Sequence, residues 1–202
     1  MIQATLHAWG GTIRMDPGTV ILLRKLYAVP EEGDDPTAVH LRDGTRHVVV
    51  DSVGTLQARF GDAHPMSNFD DPVTGRWGAY RLAEVTALTK ADPEAGGEDP
   101  TSVHLADGTV VSTGDSIRTL SARLGLWAGA AVVDLDVDGD PRPAVVVASH
   151  VTGVLRAADD EARSVVRLAG GSAFVCRDGH ERLRESIARA REDACGKPSP
   201  DP

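Results

Sequence analysis

The chain has 202 residues, 41% of them apolar and 4% aromatic, and carries a formal net charge of −9. This length and apolar content suffice for a hydrophobic core in one or two domains, filled mainly by aliphatic side chains. Nucleic-acid binding depends largely on neutralising phosphates, so this acidic chain predicts no nucleic-acid partner. Since we find no secretory signal and no apolar run of membrane-spanning length, we also expect a cytoplasmic protein and no membrane partner.

The first third of the chain predicts strands and one tight turn. Residues 1–9 indicate the first strand of a hairpin, and the apolar run 20–29 indicates a strand, with a helix as the alternative. Val39 and Leu41 alternate with polar residues before an Asp-Gly dipeptide at Gly44, which reaches the positive φ angles of a type I′ turn. We therefore expect an antiparallel hairpin centred on Gly44.

A short helix is predicted directly after this hairpin. Val53, Leu56 and Phe60 are spaced i, i+3 and i+7, which places them on one helical face. Asp51 or Ser52 offers a side-chain oxygen that can cap the first unpaired backbone N–H groups.

Residues 35–61 recur at residues 99–125, where 16 of the 27 aligned positions are identical. The second segment predicts a hairpin at Gly108 and a helix through Leu120, capped by Asp115 or Ser116. Residues 164–187 predict a third, more divergent copy. Its hairpin turns at Gly170-Gly171, and its helix carries His180, Leu183 and Ile187, starts at an Asp178 cap and runs to about Ala194.

The segments upstream of the last two hairpins complete the pattern. Residues 80–88 predict a strand or a helix, residues 144–155 a strand, and residues 130–137 the first strand of a hairpin at Asp138-Gly139. Residues 62–79 lack clean alternation and predict an irregular opening. The predicted fold is α+β, with three related units of β-hairpin, β-hairpin and helix of about 63 residues packed into one compact body. Their predicted bounds are 1–61, 62–127 and 128–195, followed by a disordered tail, 196–202.

Alternating aspartates before a glycine turn resemble the first half of a calcium loop, in which oxygen ligands converge on the cation. The glutamate expected at the twelfth position is replaced by Val145, so a hairpin with solvent-facing acids is the stronger interpretation. The weak calcium candidates are Asp134, Asp136, Asp138 and Asp140.

Other catalytic and cofactor chemistry has little support. The seven histidines show no paired metal-ligand spacing, and no Gly-rich loop is followed by Lys-Ser or Lys-Thr. His40 and His104 occupy equivalent strand positions, and Cys176 has no base that the sequence can place beside it. Cys176 and Cys195 are expected to be reduced, with one disulfide as the minor alternative. We predict no catalytic residue, no cofactor and no metal.

Three acidic inserts lie at corresponding places in the three units, between the apolar run and the hairpin. In a body of repeated units they would leave from equivalent corners and offer a docking surface for a basic protein partner. Solubility alone is the alternative explanation. The acids of this predicted surface are Glu31, Glu32, Asp34, Asp35, Glu94, Glu98, Asp99, Asp159, Asp160 and Glu161.

Residues 1–61 also resemble the small flagellar FlbD-type proteins. The residues that carry the resemblance are Met1-Ile2, Pro36-Thr37, Val39, Leu41, Asp43-Gly44, Val49 and Ser52-Val53. The resemblance implies a non-enzymatic accessory protein that acts through protein contacts. This chain departs from the family in its length, its repetition and its acidic inserts, so no functional residue is carried over.

These patterns together predict a non-catalytic protein-interaction or regulatory protein built from an internal triplication. The alternative is a small-ligand-binding protein or enzyme with a pocket formed between repeat units. Neither the partner nor the oligomeric state can be deduced from the sequence.

Overall fold

The computed structural model describes residues 1–6, 11–26, 36–72, 74–91, 99–158, 160 and 162–195. Over these residues the fold is a mixed α+β fold with antiparallel sheets and three α-helices, as the sequence predicted. The chain divides into two compact units, Met1–Glu84 with Ser112–Gly114, and Val85–Val111 with Asp115–Pro202.

The first unit combines a two-stranded hairpin, β1-β2, with a five-stranded sheet in the order β5-β4-β3-β7-β6. Two short 3₁₀ turns, Pro17–Thr19 and Leu82–Glu84, follow the strands that end at Met15 and Arg81. Its elements are β1 Ile2–Thr5, β2 Thr12–Met15, β3 Val20–Lys25, β4 Thr37–Leu41, β5 Arg46–Val49, α1 Val53–Phe60, β6 Met66–Asp70 and β7 Trp77–Arg81.

The elements from Val85 onward form an eight-stranded sheet and two helices. The strand order is β10-β9-β8-β12-β11-β15-β14-β13, and 3₁₀ turns span Leu126–Gly129 and Ala148–His150. The elements are β8 Val85–Lys90, β9 Thr101–Leu105, β10 Val110–Thr113, α2 Ile117–Arg123, β11 Ala130–Val137, β12 Asp140–Val147, β13 Val151–Arg156, β14 Ser164–Leu168, β15 Ala173–Cys176 and α3 His180–Ala194.

The predicted turns are confirmed by their backbone angles. Gly44, Gly108 and Gly171 have φ angles of 84°, 87° and 86°, in the left-handed region that glycine reaches without strain.

The runs 80–88 and 144–155 do not form single elements, because the turns Leu82–Glu84 and Ala148–His150 divide them into β7 and β8 and into β12 and β13. In the two runs that left a choice between strand and helix, 20–29 and 80–88, the residues in β3 and β8 are strands. Each is buried on both faces, which explains why its sequence shows no alternation.

Two of the three helix caps follow the prediction. Ser52 and Ser116 accept a hydrogen bond from the N–H three residues on, each at 3.2 Å. The prediction of Asp178 as the third cap was wrong, because the capping position is Gly179. The Asp178 carboxylate instead accepts the backbone N–H of Asp134 at 3.1 Å, which ties the end of β15 to β11.

The predicted irregular opening at residues 62–79 was also wrong. β6 and β7 pair over five residues, from Met66↔Arg81 to Asp70↔Trp77. The alternation was hidden because one of the buried positions is a serine and because Gly78 has no side chain. A Cβ at Gly78 would lie 2.8 Å from the ring of Phe69, so the absent side chain is what allows the strands to close together.

The first compact unit includes the β6-β7 hairpin, which lies in the predicted repeat unit 62–127. The reason is the pairing of β7 with β3, which joins the β6-β7 hairpin to the sheet that precedes it in the chain. Helix α3 ends at Ala194, as the sequence predicted, whereas the tail 196–202 lies outside the described residues. The division into three units of about 63 residues stays a prediction about the sequence.

Candidate interaction site

In the first unit, strand β3 is held on both edges. It pairs with β4 on one side and with β7 on the other, where Leu22 faces Tyr80 and Leu23 faces Ala79. Leu23 is fully buried in a core that also contains the α1 residue Leu56. The β6-β7 hairpin therefore covers the second edge of β3.

Strand β8 also has a neighbouring strand on each edge. It pairs with β9 on one side and with β12 on the other, where Ala87 faces Val146 and Leu88 faces Val145. Both Ala87 and Leu88 are fully buried. β3 and β8 also share a position directly after a 3₁₀ turn and a register shift after their first residue.

Strand β13 also follows a 3₁₀ turn and has the matching register shift, between Val151 and Gly153. Within the part of the chain that the structure describes, however, β13 pairs with β14 alone and ends the eight-stranded sheet. The Ala157 N–H donates to the Arg163 carbonyl at 3.1 Å. Because hydrogen-bonded pairs alternate along an antiparallel ladder, the N–H and C=O of Val154 point away from β14.

A groove of about 410 Å³ runs between this edge and helix α3. Val154 is half-buried in it and Leu155 is 43% exposed, whereas Leu23 and Leu88 are buried completely at the positions that match Val154. The groove combines an apolar floor with charged side chains, and its lining includes Val151, Val154, Glu181, Arg184, Glu185, Ile187 and Arg191.

Side chains of α3 reach the carbonyls along this edge. Arg191 donates from Nη2 to the Val151 carbonyl at 2.7 Å and from Nε to the Ala148 carbonyl at 3.0 Å. His180 Nε2 lies 3.3 Å from the Val154 carbonyl, and its Nδ1 lies 3.1 Å from Glu181. The hydrogen bond with His180 holds the pKa of the Glu181 carboxyl below its usual range.

The calcium candidates lie in the hairpin that the alternative interpretation predicted. Asp138 and Gly139 form its turn with φ angles of 53° and 87°. Asp136 is held by Arg163 at 2.7 Å and by Arg177 at 3.4 Å, and the hydrogen bond from Arg163 lowers the pKa of the Asp136 carboxyl. Among the described residues, no group of three His, Cys, Asp or Glu side chains could hold a metal ion.

Eight of the ten acids in the predicted docking surface lie outside the described residues, so their predicted clustering stays a prediction. The other two are paired with bases of their own segment. Asp99 lies 3.2 Å from Lys90, and Asp160 lies 3.2 Å from Arg163.

The remaining candidate side chains are structural in their contacts. His104 Nε2 lies 2.9 Å from Thr89 Oγ1, its ring packs edge-on against Phe174 at 5.0 Å, and burial lowers its pKa. Cys176 is fully buried, and desolvation raises the pKa of its thiol to about 12. Cys195 is exposed, and both cysteines are free thiols.

Sequence reasoning missed the groove because the sequence of β13 resembles those of the inner strands. The available signal was the third helix, which has 15 residues where α1 has 8 and α2 has 7. Comparisons with protein-family models, curated proteins and solved structures gave no match. No helix among the described residues is long and apolar enough to cross a membrane.

Proposed function

We propose that this chain is a cytoplasmic, non-catalytic protein-interaction protein built from three copies of one β-hairpin, β-hairpin, helix unit. The resemblance of residues 1–61 to FlbD-type accessory proteins belongs to this proposal. The two free cysteines are compatible with a reducing compartment.

Matching hydrogen bonds support the common origin of the units. The Thr5 N–H donates to the Asp51 carboxylate at 3.0 Å. In the same way, the Asp134 N–H donates to the Asp178 carboxylate at 3.1 Å. The Val50 N–H donates to the Thr5 carbonyl, and the Arg177 N–H donates to the Asp134 carbonyl. Two distant segments thus use the same contacts between the opening hairpin and the start of the helix.

The observation that carries the interaction function is the use of sheet edges. Twice, a strand that follows a 3₁₀ turn pairs at its second edge with the second strand of a later hairpin: β3 with β7 of the β6-β7 hairpin, and β8 with β12 of the β11-β12 hairpin. Strand addition at an edge is a general mode of protein recognition, since the backbone supplies affinity and the side chains supply specificity. A fold whose units join in this way provides edges and grooves rather than a convergent set of reacting groups.

The acidic inserts supply the second part of the proposal, a partner with a basic surface. Clustered carboxylates speed the encounter with such a partner and make the encounter sensitive to salt. Only Asp99 and Asp160 of this set are among the described residues, so the support comes from the sequence, where the inserts occupy corresponding places.

The test is quantitative capture from a lysate of the native host with the intact protein and with a variant whose inserts are neutralised. Replacing Glu94, Glu98 and Asp99 by Gln or Asn should weaken capture of the same partner at low salt and change it little at high salt. A matched control replaces exposed acids of α3, Glu192 and Asp193. Equal capture by all three proteins across the salt series would contradict the acidic docking surface.

A further inference from the structure

We propose that the free edge of β13 and the groove beside α3 bind the β1-β2 hairpin of a second copy of this chain. This inference deepens the proposed function and rests on it, because it takes a sheet edge as the interaction surface. The occupant is chosen by analogy with a pairing that occurs twice in the chain. In both cases the second strand of a hairpin pairs with the edge of an earlier strand, β7 with β3 and β12 with β8.

Such a pairing requires a strand edge whose backbone N–H and C=O groups are directed outward, and β2 has such an edge. The Leu6 N–H donates to the Gly11 carbonyl at 2.7 Å, so hydrogen-bonded pairs alternate along the β1-β2 ladder and Arg14 is a non-bonded position. The N–H and C=O of Arg14 therefore point away from β1. In the described part of the chain, β2 pairs with β1 alone.

The register of the proposed contact is set by aligning β2, β7 and β12 on the 3₁₀ turn that follows each of them. Met15, Tyr80 and Val146 each lie two residues before such a turn. Tyr80 faces Leu22 and Val146 faces Ala87, each of which is the residue after the register shift. The matching contact sets Met15 opposite Gly153, Arg14 opposite Val154 and Ile13 opposite Leu155.

This register matches exposed backbone groups with one another. Val154 and Arg14 would exchange two backbone hydrogen bonds, since both present N–H and C=O at a free edge. Among the described residues, no second strand pairs with β13 on the side to which the Val154 N–H points. The Val154 carbonyl, which His180 approaches at 3.3 Å, has a second lone pair for the incoming N–H. Ile13 and the exposed Leu155 would form an apolar cross-strand pair.

The groove also has space for the side chain of Arg14. Paired residues project to the same face of a sheet, so Arg14 would lie on the face of Val154, beside α3. In the first unit, the residue that corresponds to Arg14 is the small Ala79 of β7, which is buried in the core. In the groove, the corresponding space is open, and its lining combines Glu181 and Glu185 with Arg184 and Arg191. Glu181 already lies 3.7 Å from Arg184, so Glu185 is the carboxylate proposed to accept the guanidinium of Arg14.

A contact in the first unit provides a further match. Gln57 of α1 donates a hydrogen bond to Asn68 of β6 at 2.8 Å, which joins the helix to the β6-β7 hairpin. The position of α3 that matches Gln57 is Arg184, which lines the groove. Asn68 pairs with Ala79, as Gln3 pairs with Arg14. Binding would therefore bring Gln3 of the second copy to Arg184.

An interface between two different surfaces of the same chain is heterologous, so it produces open chains or closed rings. We expect the mass of the wild-type protein in sedimentation experiments to rise with concentration. Val154→Pro removes the outward N–H without touching the β14 ladder, because proline is tolerated on an edge strand. It should weaken association by about tenfold or more. The control Val154→Ala keeps the N–H and should weaken association less.

Disulfide trapping tests the register independently of the proline variant. Ile13→Cys and Leu155→Cys are made in separate Cys195→Ser chains, leaving Cys176 buried. Mixing the two chains should give a disulfide-linked heterodimer, and neither chain alone should give comparable amounts of dimer.

Three results would overturn the inference: a single-chain mass at every wild-type concentration, equal association of Val154→Pro and wild type, or no heterodimer on mixing. None of these results affects the capture of a basic partner by the acidic inserts, so the failure of self-association and the failure of the proposed function remain distinguishable.

Discussion

Replacing Gly78 by alanine tests the pairing of β7 with β3, on which the account of the edges depends. The added Cβ would lie 2.8 Å from Cε1 and Cζ of Phe69, and closer still to the Leu23 carbonyl oxygen. Backbone cannot move aside as the end of a flexible side chain does. The strands must therefore separate by about half an ångström or more to restore a normal contact distance.

The expected cost has two parts. Overpacking costs about 1–3 kcal/mol, and lengthening the ladder over Leu22, Leu23 and Arg24 costs roughly 1 kcal/mol for each weakened hydrogen bond. We therefore expect the first unit to lose about 3 kcal/mol, which corresponds to a decrease in Tm of about 12–24 °C for a unit of this size.

The assay is thermal and urea unfolding followed by circular dichroism and by tryptophan fluorescence, since Trp77 lies in β7. The matched control is Gly54→Ala on the exposed face of α1, where no atom lies within 4 Å of the added Cβ. Alanine favours a helix over glycine by about 1 kcal/mol, so the control should be as stable as the wild type or more so. A Gly78→Ala protein as stable as the wild type would show that β7 does not pack on β3 as described.

Three further predictions concern single side chains. A thiol reagent should modify Cys195 in the native protein and Cys176 only after unfolding, because Cys176 is buried and its pKa is raised to about 12; rapid modification of both would contradict that burial. Burial lowers the pKa of His104, so the unfolded chain binds more protons. Stability should decrease as the pH falls below the unfolded value of about 6.5, and His104→Gln should flatten this dependence in urea titrations at several pH values. Calcium should leave the Tm unchanged because Arg163 and Arg177 hold Asp136, and Asp136→Asn should lower the Tm more than the control Asp140→Asn at the exposed turn. Calcium-dependent stabilisation that disappears in Asp136→Asn would restore the calcium interpretation.

The local elements could be predicted from the sequence wherever one residue type satisfied one backbone requirement. The glycine turns at Gly44 and Gly108 and the serine caps at Ser52 and Ser116 are of this kind. The failures at Asp178 and Gly78 have a common cause. In both places a distant strand determines the role of the residue, through the N–H of Asp134 and through the close approach of β3.

The candidate site was beyond the sequence for a related reason. Val154 occupies a position that is apolar in all three matching strands, but Leu23 and Leu88 are covered by a neighbouring strand and Val154 is not. Pairing partners, rather than local pattern, decide whether such a strand is an inner strand or an edge. The acidic inserts were visible in the sequence, whereas their arrangement depends on residues outside the described ranges.

Amide hydrogen exchange at Val154, resolved by NMR, tests the central claim most directly. In dilute protein, the Val154 amide should exchange rapidly, whereas the amides of Leu23 and Leu88, which face β7 and β12, should be protected. At high concentration, Val154 and Arg14 should become protected together as the edge of β13 is occupied. If Val154 were as protected as Leu88 in dilute protein, with no change on concentration, β13 would not be a free edge and the account would be wrong.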